Sequence, residues 1–208
     1  MVGRRAWLQA AAALLLVRDA LAAGSVEEGI YRVRGEARVN GALARTGSPV
    51  RPGDTVATSA GGEVVFVIHR DAFLLRANSR LEVGSAAADV FRVVTGALLS
   101  VFQPGERKTL RTATATIGIR GTGIYVESAA DKTYACTCYG EAELVPDHDP
   151  AARETVRTRH HDQPRYIMAK GAPQMIMQAP VINHTDAELI LLESLVGRSV
   201  PFDPQTYK

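Results

Sequence analysis

Residues 112–144 read TATATIGIRGTGIYVESAADKTYACTCYGEAEL, and the fold is decided by how this stretch is read. From Thr112 to Ile119 apolar side chains alternate with small or polar ones, the period-two pattern of a half-buried strand. The alternation breaks at Gly118-Ile119-Arg120-Gly121-Thr122-Gly123, where an arginine flanked by glycines lets the chain bend. The second half carries the chain's only two cysteines, Cys136 and Cys138, in another strand-like run. Helical periodicity is missing throughout, so the stretch predicts strands on both sides of a glycine-marked bend.

The same pattern extends outward over Val33 to about Val145. Gly35-Glu36-Ala37-Arg38-Val39 turns at Asn40-Gly41, a two-residue hairpin signal, and Pro52-Gly53-Asp54 is a second turn. Glu63 to His69 and Phe73 to Arg76 read as paired strands, and Leu81-Glu82-Val83, Phe91 to Val94 and Ala97 to Phe102 continue the series. Breaks every eight to twelve residues or so predict an all-β domain, a rolled sheet, solenoid or sandwich of short strands.

Gly35 with Val39 and Gly41, Gly47, Pro52-Gly53-Asp54-Thr55-Val56, Thr58, Gly61-Gly62, Asn78-Ser79-Arg80-Leu81, Gly96-Ala97 and Gly118-Ile119-Arg120-Gly121-Thr122 recur in an order that resembles the bacterial FecR-type domain. The resemblance covers roughly residues 30–145. It implies an extracytoplasmic all-β module that binds a periplasmic or membrane-associated protein, or a small ligand. In the best-known members such a module relays a signal through a membrane helix to a sigma factor. The sequence departs from that arrangement, with no recognisable cytoplasmic anti-sigma segment and no convincing spanning helix.

The N-terminus reads as a cleavable export signal over residues 1–22. Arg4-Arg5 precedes an alanine-rich apolar run, Ala10 to Val17, and Ala20-Leu21-Ala22 is a small-x-small cleavage pattern. The run is shorter than the ~20 residues a bilayer span requires. The arginine pair resembles a twin-arginine signal, with an ordinary secretory n-region as the alternative. Removing residues 1–22 removes three arginines and one aspartate, which leaves basic and acidic side chains in balance. A periplasmic chain without a basic field is expected, which argues against nucleic acid as a partner.

Beyond Leu144 the character shifts. Pro146 to Pro150 is a loop, Glu154 to His161 alternates as a strand, and Pro164, Pro173 and Pro180 interrupt the residues after it. A C-terminal hairpin, an extended segment and a helix are therefore expected over residues 146–208. Thr185-Asp186-Ala187-Glu188 is a capping box that opens a short α-helix from Asp186 to Val196, closed by Gly197 and expected to cap an open end of the β domain.

Two sites stand out. Arg120 is positioned to meet a carboxylate of a ligand or partner, or else to close the turn internally. Cys136 and Cys138, at i and i+2 of a strand, project from one face with parallel Cβ vectors, which suits chelation better than a disulfide. Folding Glu154 to His161 back across the Pro146 to Pro150 loop sets His161 opposite Cys138, with His160 the choice if the register slips by one. Two thiolates and an imidazole are three ligands for zinc or copper, the fourth coming from His184, His148 or water. Met168, Met175 and Met177 add soft donors to the same segment. No nucleophile elbow or phosphate loop accompanies these residues, so a non-enzymatic binding module is expected, with a metal-binding or redox protein as the alternative.

Overall fold

Short alternating segments punctuated by glycine and Asn-Gly turns can bury their apolar faces only by pairing, and the computed structural model, which describes residues 27–85 and 89–203, joins them into one 14-stranded sheet. The expected export signal, residues 1–22, lies outside the described residues. The strands are β1 (Gly29–Arg34), β2 (Ala37–Val39), β3 (Ala42–Leu43), β4 (Thr55–Thr58), β5 (Glu63–Ile68), β6 (Asp71–Leu75) and β7 (Arg80–Val83). They continue as β8 (Val90–Val101), β9 (Arg107–Arg111), β10 (Ala115–Ser128), β11 (Lys132–Pro146), β12 (Glu154–Thr158), β13 (Arg165–Met168) and β14 (Ile176–Gln178). Among the described residues one α-helix, α1 (Asp186–Leu195), comes after them. The fold is all-β with one short C-terminal helix. Among the described residues no helix is long and apolar enough to cross a membrane.

Three long strands organise the sheet, and each changes neighbour halfway along. Residues 90–95 of β8 pair with β7 and, in parallel, with β9, whereas residues 96–101 pair with β6 and β10. β10 pairs with β9 over residues 116–120 and with β8 over 123–128. β11 pairs with β13 over 132–135 and with β12 over 140–144. A glycine with positive φ stands at or beside each change: Gly96 at 84°, Gly121 at 53° and Gly140 at 92°. Only glycine adopts such angles without steric cost, so the glycine punctuation of the sequence marks where the strands part company.

The bend within Gly118 to Gly123 is closed by Thr122 rather than by Arg120. The buried Thr122 hydroxyl lies 2.8 Å from the carbonyl oxygen of Arg120 and 2.9 Å from that of Glu141, and it accepts from the Glu141 amide at 3.2 Å. Arg120 itself is exposed, opposite Glu141 and Arg107 in the ladder, on a shallow polar groove with Lys108 and Glu143.

One face of the sheet closes on itself around Phe66, Phe73, Phe91 and Phe102, whose ring centroids lie 5.0–5.7 Å apart, and the same core runs on through Ile117, Ile124 and Ile167. The middle strands are also buried on their other face. Val65, Val67, Leu74, Leu99, Val101, Tyr125, Tyr134, Cys136 and Cys138 form a second cluster, closed by Leu189, Leu192 and Val196. Every residue of β6 is buried, and so are five of the six in β5, so alternation is lost there and the sequence reads as continuous apolar runs.

The helix forms as its capping box requires. Thr185 Oγ1 accepts from the Glu188 amide at 3.4 Å, and the Glu188 carboxylate accepts from the Thr185 amide at 2.9 Å. Instead of capping an open end, α1 lies flat against the outer face of β6 and β8, because that is where uncovered apolar area remains. Arg76 on the sheet donates to the Asn183 carbonyl at 2.9 Å and pairs with Glu188 at 2.8 Å. At the far end of the helix, the Tyr139 hydroxyl donates to Glu193, which also pairs with Arg198, and Arg198 donates to the Arg70 carbonyl at 2.6 Å.

Gly123 makes room for that anchor, since a Cβ placed there would sit 2.5 Å from the Tyr139 ring. At Gly118 a Cβ would meet nothing closer than Glu143 Cβ at 3.8 Å. Gly123→Ala is therefore expected to lower stability by about 1–3 kcal/mol through overpacking, and Gly118→Ala to change it by less than about 0.5 kcal/mol. Urea unfolding midpoints of the two variants check this, and equal midpoints would show that the Tyr139 ring does not require a glycine beside it.

Candidate metal centre

Cys136 and Cys138 lie on β11 where the strand has left β13 and not yet met β12. Their i, i+2 spacing points both side chains to the outer face, where both are fully buried and neither forms a disulfide. β12 pairs Gly140 with Thr158 and Glu141 with Arg157, one residue away from the register that sets Cys138 opposite His161. The strand also stops at Thr158. A tight turn comes next, in which the Asp162 carboxylate accepts from the Arg159 amide at 3.1 Å and His161 takes a φ of 50°. That turn restores the contact that strand pairing alone would have missed, and the His161 amide donates to the Cys138 carbonyl at 2.9 Å.

The second histidine comes from the segment leading into α1. His184 is buried against Tyr125, with the rings stacked at a centroid distance of 4.6 Å. Cys136, Cys138, His161 and His184 each offer a donor atom, all within 4.8 Å of one another. Of the three sources for a fourth ligand, His184 is the one brought in, whereas His148 is exposed in the loop after β11. His160 shares the Asp186 carboxylate with His161, at 2.8 Å from His160 Nε2 and 3.1 Å from His161 Nε2, and is grouped with these two rather than with the cysteines. Arg120 takes no part in the cluster. Met168 pairs with Lys132, four residues or roughly 13 Å along the strand from Cys136, and Met177 is exposed.

Hydrogen-bond partners assign the ring protons. His184 Nδ1 lies 2.6 Å from the Ile182 carbonyl, which can only accept, so Nδ1 carries the proton and Nε2 is bare in the neutral ring. In its neutral ring His161 Nε2 donates to Asp186, which leaves Nδ1 bare. Those two bare nitrogens face each other at 3.0 Å, and His161 Nδ1 is also 3.4 Å from Cys136 Sγ. Two lone pairs in a buried site repel unless a positive charge, a proton or a metal ion, lies between them.

Two of the separations, 3.4 Å from Cys136 Sγ to His161 Nδ1 and 3.0 Å between the ring nitrogens, lie near those of a metal's ligand shell, and the four donors as a set lie within 4.8 Å. Sulfur at ~2.3 Å and nitrogen at ~2.0–2.1 Å from a tetrahedral zinc stand roughly 3.5 Å apart as a sulfur–nitrogen pair and roughly 3.3 Å as a nitrogen–nitrogen pair. Both histidines also hold an outer partner, Asp186 for one and a backbone carbonyl for the other, which is how metal-ligating imidazoles are commonly oriented. Tyr125, Tyr134 and Leu189 line the surrounding apolar shell.

Without a metal the same atoms become an ion pair. Hydrogen bonding from Cys138, followed by His161 and His184, outweighs burial and lowers the Cys136 thiol to about 4. Burial raises Cys138 well above its ordinary value. Burial pulls His161 down, but Cys136 and Asp186 more than offset it and the net shift is upward. In metal-free protein, thiolate absorbance in the far ultraviolet is expected to show one low-pH step near 4, from Cys136. The step should be missing in Cys136→Ser and move to higher pH in His161→Ala. Two thiols titrating together in their ordinary range would contradict this geometry.

Sequence alone pointed to both cysteines and to the histidine pair. It singled out neither His184 among several fourth ligands nor Asp186 as anything more than a capping-box residue. The available signal was a histidine immediately before the cap threonine, which ties a ligand to a helix start.

No family model matches the chain, and no curated protein matches it in sequence. Its fold is similar to that of crystal structures of a candidate anti-sigma factor from Parabacteroides distasonis. One matches at a TM-score of 0.50 and 10% identity, over 60% of this chain and 58% of that chain. A second matches at 0.49 and 11% identity over the same shares. The likeness thus spans less than two thirds of that protein's length, and at such identity it is a likeness of fold.

Proposed function

We propose that this chain is a non-enzymatic, exported FecR-like β module that holds a zinc ion between Cys136, Cys138, His161 and His184. The observation that carries the metal reading is the convergence of four donor atoms within 4.8 Å, with His161 Nδ1 and His184 Nε2 3.0 Å apart beside two buried cysteine sulfurs. Four protein donors with no open position suit a structural ion rather than a catalytic one. Two thiols and two imidazoles suit zinc. Copper(I), the alternative, favours softer sets, whereas Met168 pairs with Lys132 further along the strand and Met177 is exposed.

The proposed location fits the chemistry. In the periplasm, reduced cysteines are normally oxidised, and an adjacent i, i+2 pair on a strand is poorly placed to protect itself as a disulfide. Metal ligation keeps such thiolates occupied. Support for a protein partner, and for a place in envelope signalling, is the likeness of fold to a candidate anti-sigma factor together with the Gly118-Ile119-Arg120-Gly121-Thr122 signature.

Full-length protein purified without added metal is expected to carry one zinc per chain by elemental analysis, and Cys136→Ser/Cys138→Ser to carry none. Asp186→Asn should weaken zinc binding by about 10–100-fold in chelator competition, because the carboxylate only orients His161. Stoichiometric copper in place of zinc would overturn the choice of metal. Metal-free protein that fails to bind added zinc would overturn the centre.

A further inference from the structure

We infer that zinc acts as a latch that fastens residues 180–203 over the outer face of the sheet, so that loss of the ion frees this segment while the β domain stays folded. The inference rests on the metal reading above and extends it from binding to regulation.

The ligands divide between two parts of the chain. Cys136 and Cys138 belong to β11, and His161 is fixed to it by the amide bond to the Cys138 carbonyl. His184 and the orienting Asp186 belong to the other part, the segment that crosses the sheet and starts α1. A metal bound by all four donors therefore closes a bridge between the ladder and its cover. Without it, His184 faces His161 lone pair to lone pair, or shares a proton in place of a covalent-strength link.

The cover has little order of its own. α1 spans 10 residues, below the ~12–15 at which an isolated helix becomes even marginally stable, so it persists only while docked. Residues 180–185 contain no secondary structure and are held by side-chain bonds. Tyr134 donates to the Pro180 carbonyl at 2.9 Å, Asn183 donates to Glu127 at 2.7 Å, and Arg76 clamps the Asn183 carbonyl and Glu188. The ladder beneath is different, since β10 and β11 are paired along most of their length and share the inner core, which contains none of the segment's residues. Undocking costs the second apolar cluster and leaves the first intact.

Hydrogen exchange of the full chain, zinc-loaded against chelator-stripped, tests the latch, with zinc content measured on each sample. Stripping is expected to speed exchange over residues 182–196 by about tenfold or more, with β10 and β11 still protected, and added zinc should reverse it. His184→Ala in the presence of zinc should reproduce the stripped pattern, and added zinc should not reverse it. Equal exchange in samples that differ in zinc content would overturn the latch and leave the metal centre standing. Loss of protection throughout β10 and β11 would overturn it too, because the ion would then hold the whole fold. A chain that binds no zinc would remove the metal reading itself.

Discussion

A β-strand buried on both faces must be covered from both sides, and this constraint governs the molecule. Folding the sheet over itself supplies one cover for β5, β6, β8 and the middle of β10. Among the described residues the other face is covered instead by a short helix and an extended segment. That cover accounts for the distinctive parts of the C-terminal third: the capping box that starts the helix, the Arg76 clamp at one end, and the Tyr139–Glu193–Arg198 chain at the other. The cysteines are part of the same solution. They face outward on β11 in the region where the cover crosses it, and the crossing segment brings the second imidazole.

The glycine-rich signature gains a physical meaning from this arrangement. Its arginine is exposed, and the surrounding residues perform the structural work. Gly121 permits the positive φ at which β10 exchanges β9 for β8, Thr122 satisfies the carbonyls of the bulge, and Gly123 leaves space for the ring that anchors the helix. A motif that reads as a binding loop thus ties the bend in one face to the cover over the other.

Much of the fold was legible in the sequence because its signals are local. Alternation, the Asn40-Gly41 hairpin turn, the Thr185 to Glu188 capping box and the i, i+2 cysteines each depend on a few neighbouring residues. The features that stayed hidden depend on distant ones. Helix placement is set by which sheet face lacks a cover, a property of the assembled sheet. The approach of His161 to Cys138 is not a ladder pairing, because β12 ends at Thr158 and Asp162 draws the backbone into a turn, a competition between side-chain and ladder hydrogen bonds that alternation does not display. His184 could be named only as one option among three, since its approach to Cys136 closes a loop of nearly fifty residues.

The order of elements along the chain has a consequence for how the molecule is made. Residues 180–203 come after every strand they cover, so on the ribosome they emerge later than the ladder beneath them. Until then Val65, Val67, Leu74, Leu99 and Val101 form an unshielded apolar strip beside two reactive thiols. Nascent β structure with such a strip is a target for aggregation and for chaperones that hold it. One segment, the one that carries His184, therefore both buries the strip and brings a second imidazole beside the cysteines.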